Sequence, residues 1–153
     1  MQLMVDGSWN PLIQQMGGAA ILLDGAGRWI TGVSSSFGAG MAFTAELLAL
    51  EMGLAHAWSL GYKYVLCNTD CLLVVEVLTT QRDITNFWDK DLISKIRLQL
   101  AQDWTVILEH ILRTKNSAAD YMARKAAREI TPRQLWRHPS SDIVSALCKD
   151  SSR

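Results

Sequence analysis

Residues 2–36 carry three strand-like segments in succession, and no helical pattern begins until Thr44. That order limits the topology more than any other feature of the chain. Residues 2–9 read as a first strand, "GGAAILL" at 17–23 as a second and "RWITGVSSS" at 28–36 as a third. The turn sequence "DGAG" at 24–27 joins the last two, and so short a connection makes an antiparallel hairpin. From Thr44 onward the pattern changes to helix over 44–60, strand over 63–68, a short helix over 70–79, helix over 86–101, strand over 104–112 and helix over 116–129. Strands that alternate with helices imply parallel pairing. The expected architecture is therefore α/β, with a five-stranded mixed sheet whose first three strands form an antiparallel meander and whose surface is covered by helices. The helix over 44–60 is apolar around most of its circumference, which predicts burial on several sides, and Gly61 is a suitable residue to end it.

At 153 residues the chain has enough length for one domain with a real core. Residues 1–130 are expected to form that domain. Residues 131–153, interrupted by Pro132 and Pro139, are expected to form a less ordered C-terminal tail docked through Leu135 and Trp136. The formal net charge is zero, which argues against a protein that grips nucleic acid by basic charge alone. It leaves room for a nucleic-acid enzyme whose positive charge arrives as metal ions. Three cysteines with no signal peptide before them suggest reduced thiols and an intracellular protein, nuclear or cytoplasmic. No apolar run is long enough to span a membrane. Cys67 and Cys71 lack the further ligands that a zinc site needs.

Asp6 sits in "LMVDGSW", where the preceding residues read as the middle of a buried strand. Burying an ionised carboxylate costs several kcal/mol unless a partner neutralises it, and the nearest basic residue downstream is Arg28. Three further acids stand at the ends of elements: Glu46 early in the first helix, Asp70 after the fourth strand, and Asp120 in the first turn of the last helix. Each has a simple alternative reading. Asp70 fits a helix N-cap, Ser117 with Asp120 fits a capping box, and Glu46 suits its helix dipole. A strand interior offers Asp6 no such role. Four carboxylates at one edge of a mixed sheet would repel one another. A pair of Mg²⁺ ions would resolve that repulsion, because this hard cation prefers carboxylate, water and phosphate oxygen.

"VDGSW", "TAELLAL", "NTD" and "RTKNSAADYMA" follow one another in the order and spacing of the ribonuclease H family. Over residues 2–130 the chain resembles these domains, and it is most similar to those of plant retroelements and of archaeal-type members. The resemblance implies a ribonuclease H-like fold with helices on both faces of the sheet. It implies endonucleolytic cleavage of the RNA strand of an RNA–DNA hybrid, with two Mg²⁺ ions or, alternatively, Mn²⁺. It maps the catalytic, metal-binding carboxylates onto Asp6, Glu46, Asp70 and Asp120. It suggests that Gly7, Ser8 and Glu46 approach the ribose, whose 2′-OH distinguishes RNA from DNA. It also suggests a domain of a retroelement polyprotein, monomeric when isolated.

The chain departs from the family pattern in three places. The loop before the last helix carries Arg113, Thr114 and Lys115 where many members have a histidine. Arg113 resembles the arginine of archaeal-type members and suits a phosphate; its alternative is a solvated charge at a strand end. "GAGMAFTAE" lacks the Asn- and Thr-rich run that contacts DNA in bacterial-type members, leaving Thr44 as the hydroxyl nearby. The basic helical protrusion of some members is absent. His110 is expected to be structural, Trp9 to be a packing residue or a nucleotide stack, and Arg124, Lys125 and Arg128 to be a solvated face or phosphate contacts. The competing function is an inactive ribonuclease H-like domain that binds nucleic acid or serves a structural role.

Overall fold

The computed structural model describes residues 1–80 and 82–151; Gln81, between the helices expected over 70–79 and 86–101, and the last two residues of the expected tail lie outside the described residues. The meander forms from β1 (Gln2–Asn10), β2 (Gln15–Leu23) and β3 (Trp29–Ala39), each antiparallel to the next. The alternating part supplies α1 (Ala42–Ser59), β4 (Tyr64–Thr69), α2 (Leu72–Thr79), α3 (Lys90–Leu100), β5 (Thr105–His110) and α4 (Ser117–Glu129). β4 runs parallel to β1 and to β5. The sheet is mixed, as expected, but it has six strands in the order β5-β4-β1-β2-β3-β6 and not five.

The additional strand, β6 (Gln134–Trp136), comes from the segment expected to be a loosely ordered tail, and the helix α5 (Ser141–Ser151) follows it. Ile130 ends α4 in the left-handed conformation at φ 51°, which turns the chain back toward the edge of β3. Three residues then pair antiparallel with Gly32, Val33 and Ser34. The Trp136 indole N–H fixes this strand by donating to Ser34 Oγ at 2.9 Å. A three-residue strand bounded by Pro132 and Pro139 is too short to show alternation, which explains why it was not expected.

Side-chain alternation along β1 sorts the core into two layers. Leu3 and Val5 face α1, α2 and α3, and they pack with Leu47, Leu50, Val74, Val77, Ile93 and Ile96. Met4 faces the other way, joining Ala118, Ala119, Met122 and Ala123 of α4 and Ile143 of α5. Helices therefore do cover both faces. β2, at the centre, is buried on both sides, which accounts for its unbroken apolar sequence. Gly17 lies where an added Cβ would meet the α4 backbone at Ala123 and Ala127, so α4 rides close on β2. All three cysteines are free. Among the described residues no helix is long and apolar enough to cross a membrane.

Ile143 is fully buried against α4 and Met4. Ile143→Ala should lower unfolding stability by about 2–4 kcal/mol, the usual cost of such a truncation. Urea unfolding checks this; a change within about 0.5 kcal/mol would mean that α5 is not part of the cooperative core.

Candidate active site

Asp6 alternates onto the α4 side of β1, while its neighbour Gly7 faces α1. The register between β1 and β4 pairs Gln2 with Leu66 and Met4 with Asn68. Continued two residues further, it brings Asp6 level with Asp70, just past the end of β4. α1 begins at Ala42, earlier than its sequence pattern suggests, so Glu46 lies in the second turn and not the first. A Cβ on Gly7 would overlap the backbone of Ala45 and Glu46. Glycine here admits the helix rather than merely clearing a path for ligand. The contact lets Glu46 Oε1 accept a hydrogen bond from the Gly7 N–H at 2.6 Å.

Carboxylate oxygens of Asp6, Glu46 and Asp70 all lie within 4.8 Å of one another. Asp120 reaches the same cleft from α4, with its carboxylate held by Arg124 Nε at 3.0 Å. The electrostatics follow from this crowding. Burial pushes the Asp6 carboxyl far above the usual carboxylate range, and the charges of Glu46 and Asp70 push it further. Burial also raises Glu46, partly offset by its hydrogen bonds to Asp6 and Gly7. Asp70 is raised by burial, while the Asn116 amide and the Arg113 charge pull it back.

The cleft encloses about 740 Å³. It is lined by the four carboxylates together with Gly7, Ser8, Trp9, Arg113, Arg124 and Arg128. Seven of the eight expected site residues therefore meet there. Thr44 does not; its hydroxyl is turned to the Asp89 carboxylate at 2.9 Å. The capping alternatives do not form either. Cys71, not Asp70, occupies the N-cap position of α2, and Asn116, not Ser117, occupies that of α4.

The structure also brings in residues beyond those eight. Asn116 is fully buried and donates through Nδ2 to the Val5 carbonyl at 2.9 Å and to Asp70 Oδ2 at 3.3 Å. His110 is exposed at the end of β5, paired in register with Thr69, and its charge acts on Asp70. It stands at the rim of the site rather than within the core. Arg124 and Arg128 face the cleft, whereas Lys125, between them in sequence, pairs with Glu129 at 3.5 Å. The helical period, 3.6 residues per turn, separates the three.

The residues present fit a divalent cation. All the clustered donors are hard carboxylate oxygens, and Glu46 Oε2 is buried without a hydrogen-bond partner. An oxygen in that position is costly unless something cationic meets it.

A sheet of this topology, with a carboxylate cluster beside the middle of β1 and just past the end of β4, defines an α/β domain whose cleft gathers oxygen donors. A family described as reverse transcriptase-like matches residues 4–126, most of the chain. The chain belongs to this family, and its domain is of the ribonuclease H type. Among solved structures it is similar to RNase H1 from the halophilic archaeon Halobacterium salinarum NRC-1, at 25% identity and a TM-score of 0.75, covering 84% of this chain and 97% of the other. The N-terminal RNase H domain of a Mycobacterium tuberculosis protein, solved as a maltose-binding-protein fusion, shares the fold at 20% identity and a TM-score of 0.76, over 84% and 95% of the two chains. So does LC11 RNase H1, from compost, solved in complex with an RNA/DNA hybrid, at 20% identity and a TM-score of 0.77, over 84% and 96%. No curated protein matches the chain.

Two outcomes follow from the geometry. Gly7→Ala should cost about 1–3 kcal/mol in stability, because backbone must move to admit the methyl group; unchanged urea unfolding would contradict the close approach. Asp6→Asn should stabilise the cation-free protein. The Asp6 pKa is raised in the folded state, so above the unfolded value the unfolded chain holds fewer protons and gains stability as pH rises. Replacing the carboxylate removes that loss. With a chelator at pH 7 the gain should exceed about 1 kcal/mol, since one pKa unit is worth about 1.4 kcal/mol. It should fade as pH falls below the unfolded value of 3.8. Melting across a pH series measures it, and a gain that grew toward acid would contradict the sign.

Proposed function

We propose that this chain is a divalent-cation-dependent endonuclease that cleaves the RNA strand of RNA–DNA hybrids. The observation that carries the reading is the set of four carboxylates in one cleft, three of them mutually adjacent and Asp6 buried with no ion pair among the described residues. Asp6, Glu46, Asp70 and Asp120 would hold Mg²⁺, or Mn²⁺ in its place. When bound, a pair of such ions supplies an activated water and stabilises the leaving oxygen of a phosphodiester.

The chain's own residues supply the rest. Arg113 opens a short 3-10 helix, Arg113–Lys115, at the cleft wall, where its planar fork can take a phosphate. Gly7 and Ser8 line the floor beside Glu46 and suit contact with the ribose. Glu46 Oε1 is occupied by Gly7, so Oε2 is the oxygen left for ion or ribose. Arg124 and Arg128, one helical turn apart, offer phosphate contacts along the same cleft. The hybrid bound to LC11 RNase H1 supports the substrate assignment through the shared fold. The reverse transcriptase-like family supports a retroelement polyprotein or a related plant-type protein as the parent, with the isolated domain monomeric.

Labelled RNA–DNA hybrid, duplex DNA and duplex RNA, each incubated with Mg²⁺, test the proposal. Only the RNA strand of the hybrid should be cut, and Asp70→Asn should nearly abolish cutting. Binding of the hybrid with no cleavage under any divalent cation would favour the inactive-domain reading. Arg113→Ala should reduce kcat by about 10–100-fold, corresponding to a charge-assisted hydrogen bond of about 1.5–3 kcal/mol, with a smaller effect on hybrid affinity. In the Asp70→Asn background, Arg124→Gln and Arg128→Gln should each flatten the salt dependence of hybrid binding by about 0.9 in log–log slope, and Lys125→Gln should leave it unchanged.

A further inference from the structure

α4 begins without a side-chain cap of its own. Asn116 stands in the N-cap position, where an Asn ordinarily accepts a hydrogen bond from the first turn. Here its Nδ2 is committed to the Val5 carbonyl and Asp70, and its Oδ1 is buried without a partner. With the side chain held in this way, its Oδ1 makes no hydrogen bond to the amides of its own helix. The orphan amides at the start of α4 still need an acceptor, and they find one more than thirty residues away. The Ser117 N–H donates to Asp150 Oδ1 at 2.7 Å, and the Ala118 N–H donates to Asp150 Oδ2 at 3.0 Å. Asp150 lies in the last turn of α5, so both oxygens of one carboxylate, with their negative charge, sit at the positive end of α4.

The turn held in this way carries two parts of the site. Asp120 lies within it, and the Asp120 N–H donates to the Asn116 carbonyl at 3.0 Å. Asn116 precedes it and reaches Asp70. A shift of this turn therefore moves Asp120 directly and Asp70 through Asn116.

We propose that Asp150 is a positioning residue of the active site, anchoring the start of α4 so that Asp120 and Asp70 keep their geometry. On this view α5 is part of the scaffold that shapes the cleft. The assignment rests on the nuclease reading above and concerns how its cation site is held.

The test compares Asp150→Ala and Asp150→Asn with Asp142→Ala, in the complete chain, at a temperature where circular dichroism shows each variant folded. Asp142 serves as the control because it also ties α5 to α4, through the Tyr121 hydroxyl at 3.0 Å, but away from the first turn. Mn²⁺ affinity is measured by calorimetry, kcat and KM on hybrid, and amide exchange at Ser117 and Ala118 by NMR. Asp150→Ala should weaken Mn²⁺ binding and lower kcat by about tenfold each, the usual effect of losing an orienting partner. KM for the hybrid should hold, and the two amides should exchange faster. Asp150→Asn, which keeps an acceptor oxygen, should fall between, and it decides the matter should the alanine variant fail to fold. Asp142→Ala should lower the Tm while leaving Mn²⁺ affinity unchanged. Wild-type Mn²⁺ affinity in both Asp150 variants would overturn the assignment and make Asp150 a stability residue only. If the wild type binds Mn²⁺ but cuts no hybrid, the nuclease reading fails while the affinity comparison still decides the role of Asp150. A wild type that binds no Mn²⁺ would overturn both.

Discussion

Asp6 is 3% exposed, and the charges that act most strongly on it belong to Glu46 and Asp70. No arginine or lysine of the described residues forms an ion pair with it. Of the arginines in the cleft, Arg124 pairs with Asp120, and the charge of Arg113 acts on Glu46 and Asp70. An ionised group in that position would be strongly destabilising, so the cation-free protein keeps the proton on Asp6. The arrangement is stable as a protonated cluster or as an ion-filled one, and poor as a set of free anions. Folding energy has been given up at this point, and the loss is confined to the place where β4 ends beside the middle of β1.

The surrounding structure can sustain that loss because small residues let its elements approach closely. Gly7 admits the backbone of α1, and Gly17 admits that of α4. The face that α4 turns inward is almost entirely alanine, with Met122 filling the remaining space. Each helix is thereby pinned against the sheet on the side from which its carboxylate must reach. α1 is held at Glu46 through the Gly7 amide, and α4 through the Asn116 side chain and the Asp150 carboxylate. The C-terminal segment is therefore structurally continuous with the site, through β6 at one edge of the sheet and α5 against α4.

Much of this was legible in the sequence because the signals were local and strong. The meander, the parallel strands and the long buried helix each declared themselves by periodicity and turn residues. Asp6 stood out because a carboxylate inside an apolar strand has no local explanation. The features that could not be read depend on contacts distant in sequence or on lengths too short for a pattern. β6 has three residues. Thr44 looked available because its partner, Asp89, lies 45 positions away. Asn116 read as a motif letter, and only tertiary structure shows it bridging Val5 and Asp70. Arg124 and Arg128 separate from Lys125 only once the azimuth of α4 relative to the cleft is fixed. His110 read as a structural residue of the fifth strand, but β5 is an edge strand and its end is exposed.

The most direct measurement is the number of protons released when a divalent cation binds. Calorimetric titration of Mn²⁺ at pH 7, repeated in buffers of different ionisation enthalpy, gives that number. If Asp6 and Glu46 share the cluster in protonated form and a cation displaces those protons, about one proton or more should leave per protein, and Asp6→Asn should release fewer. Mn²⁺ binding with no proton release, or release unaffected by Asp6→Asn, would show that the buried carboxylates are not the cation's ligands.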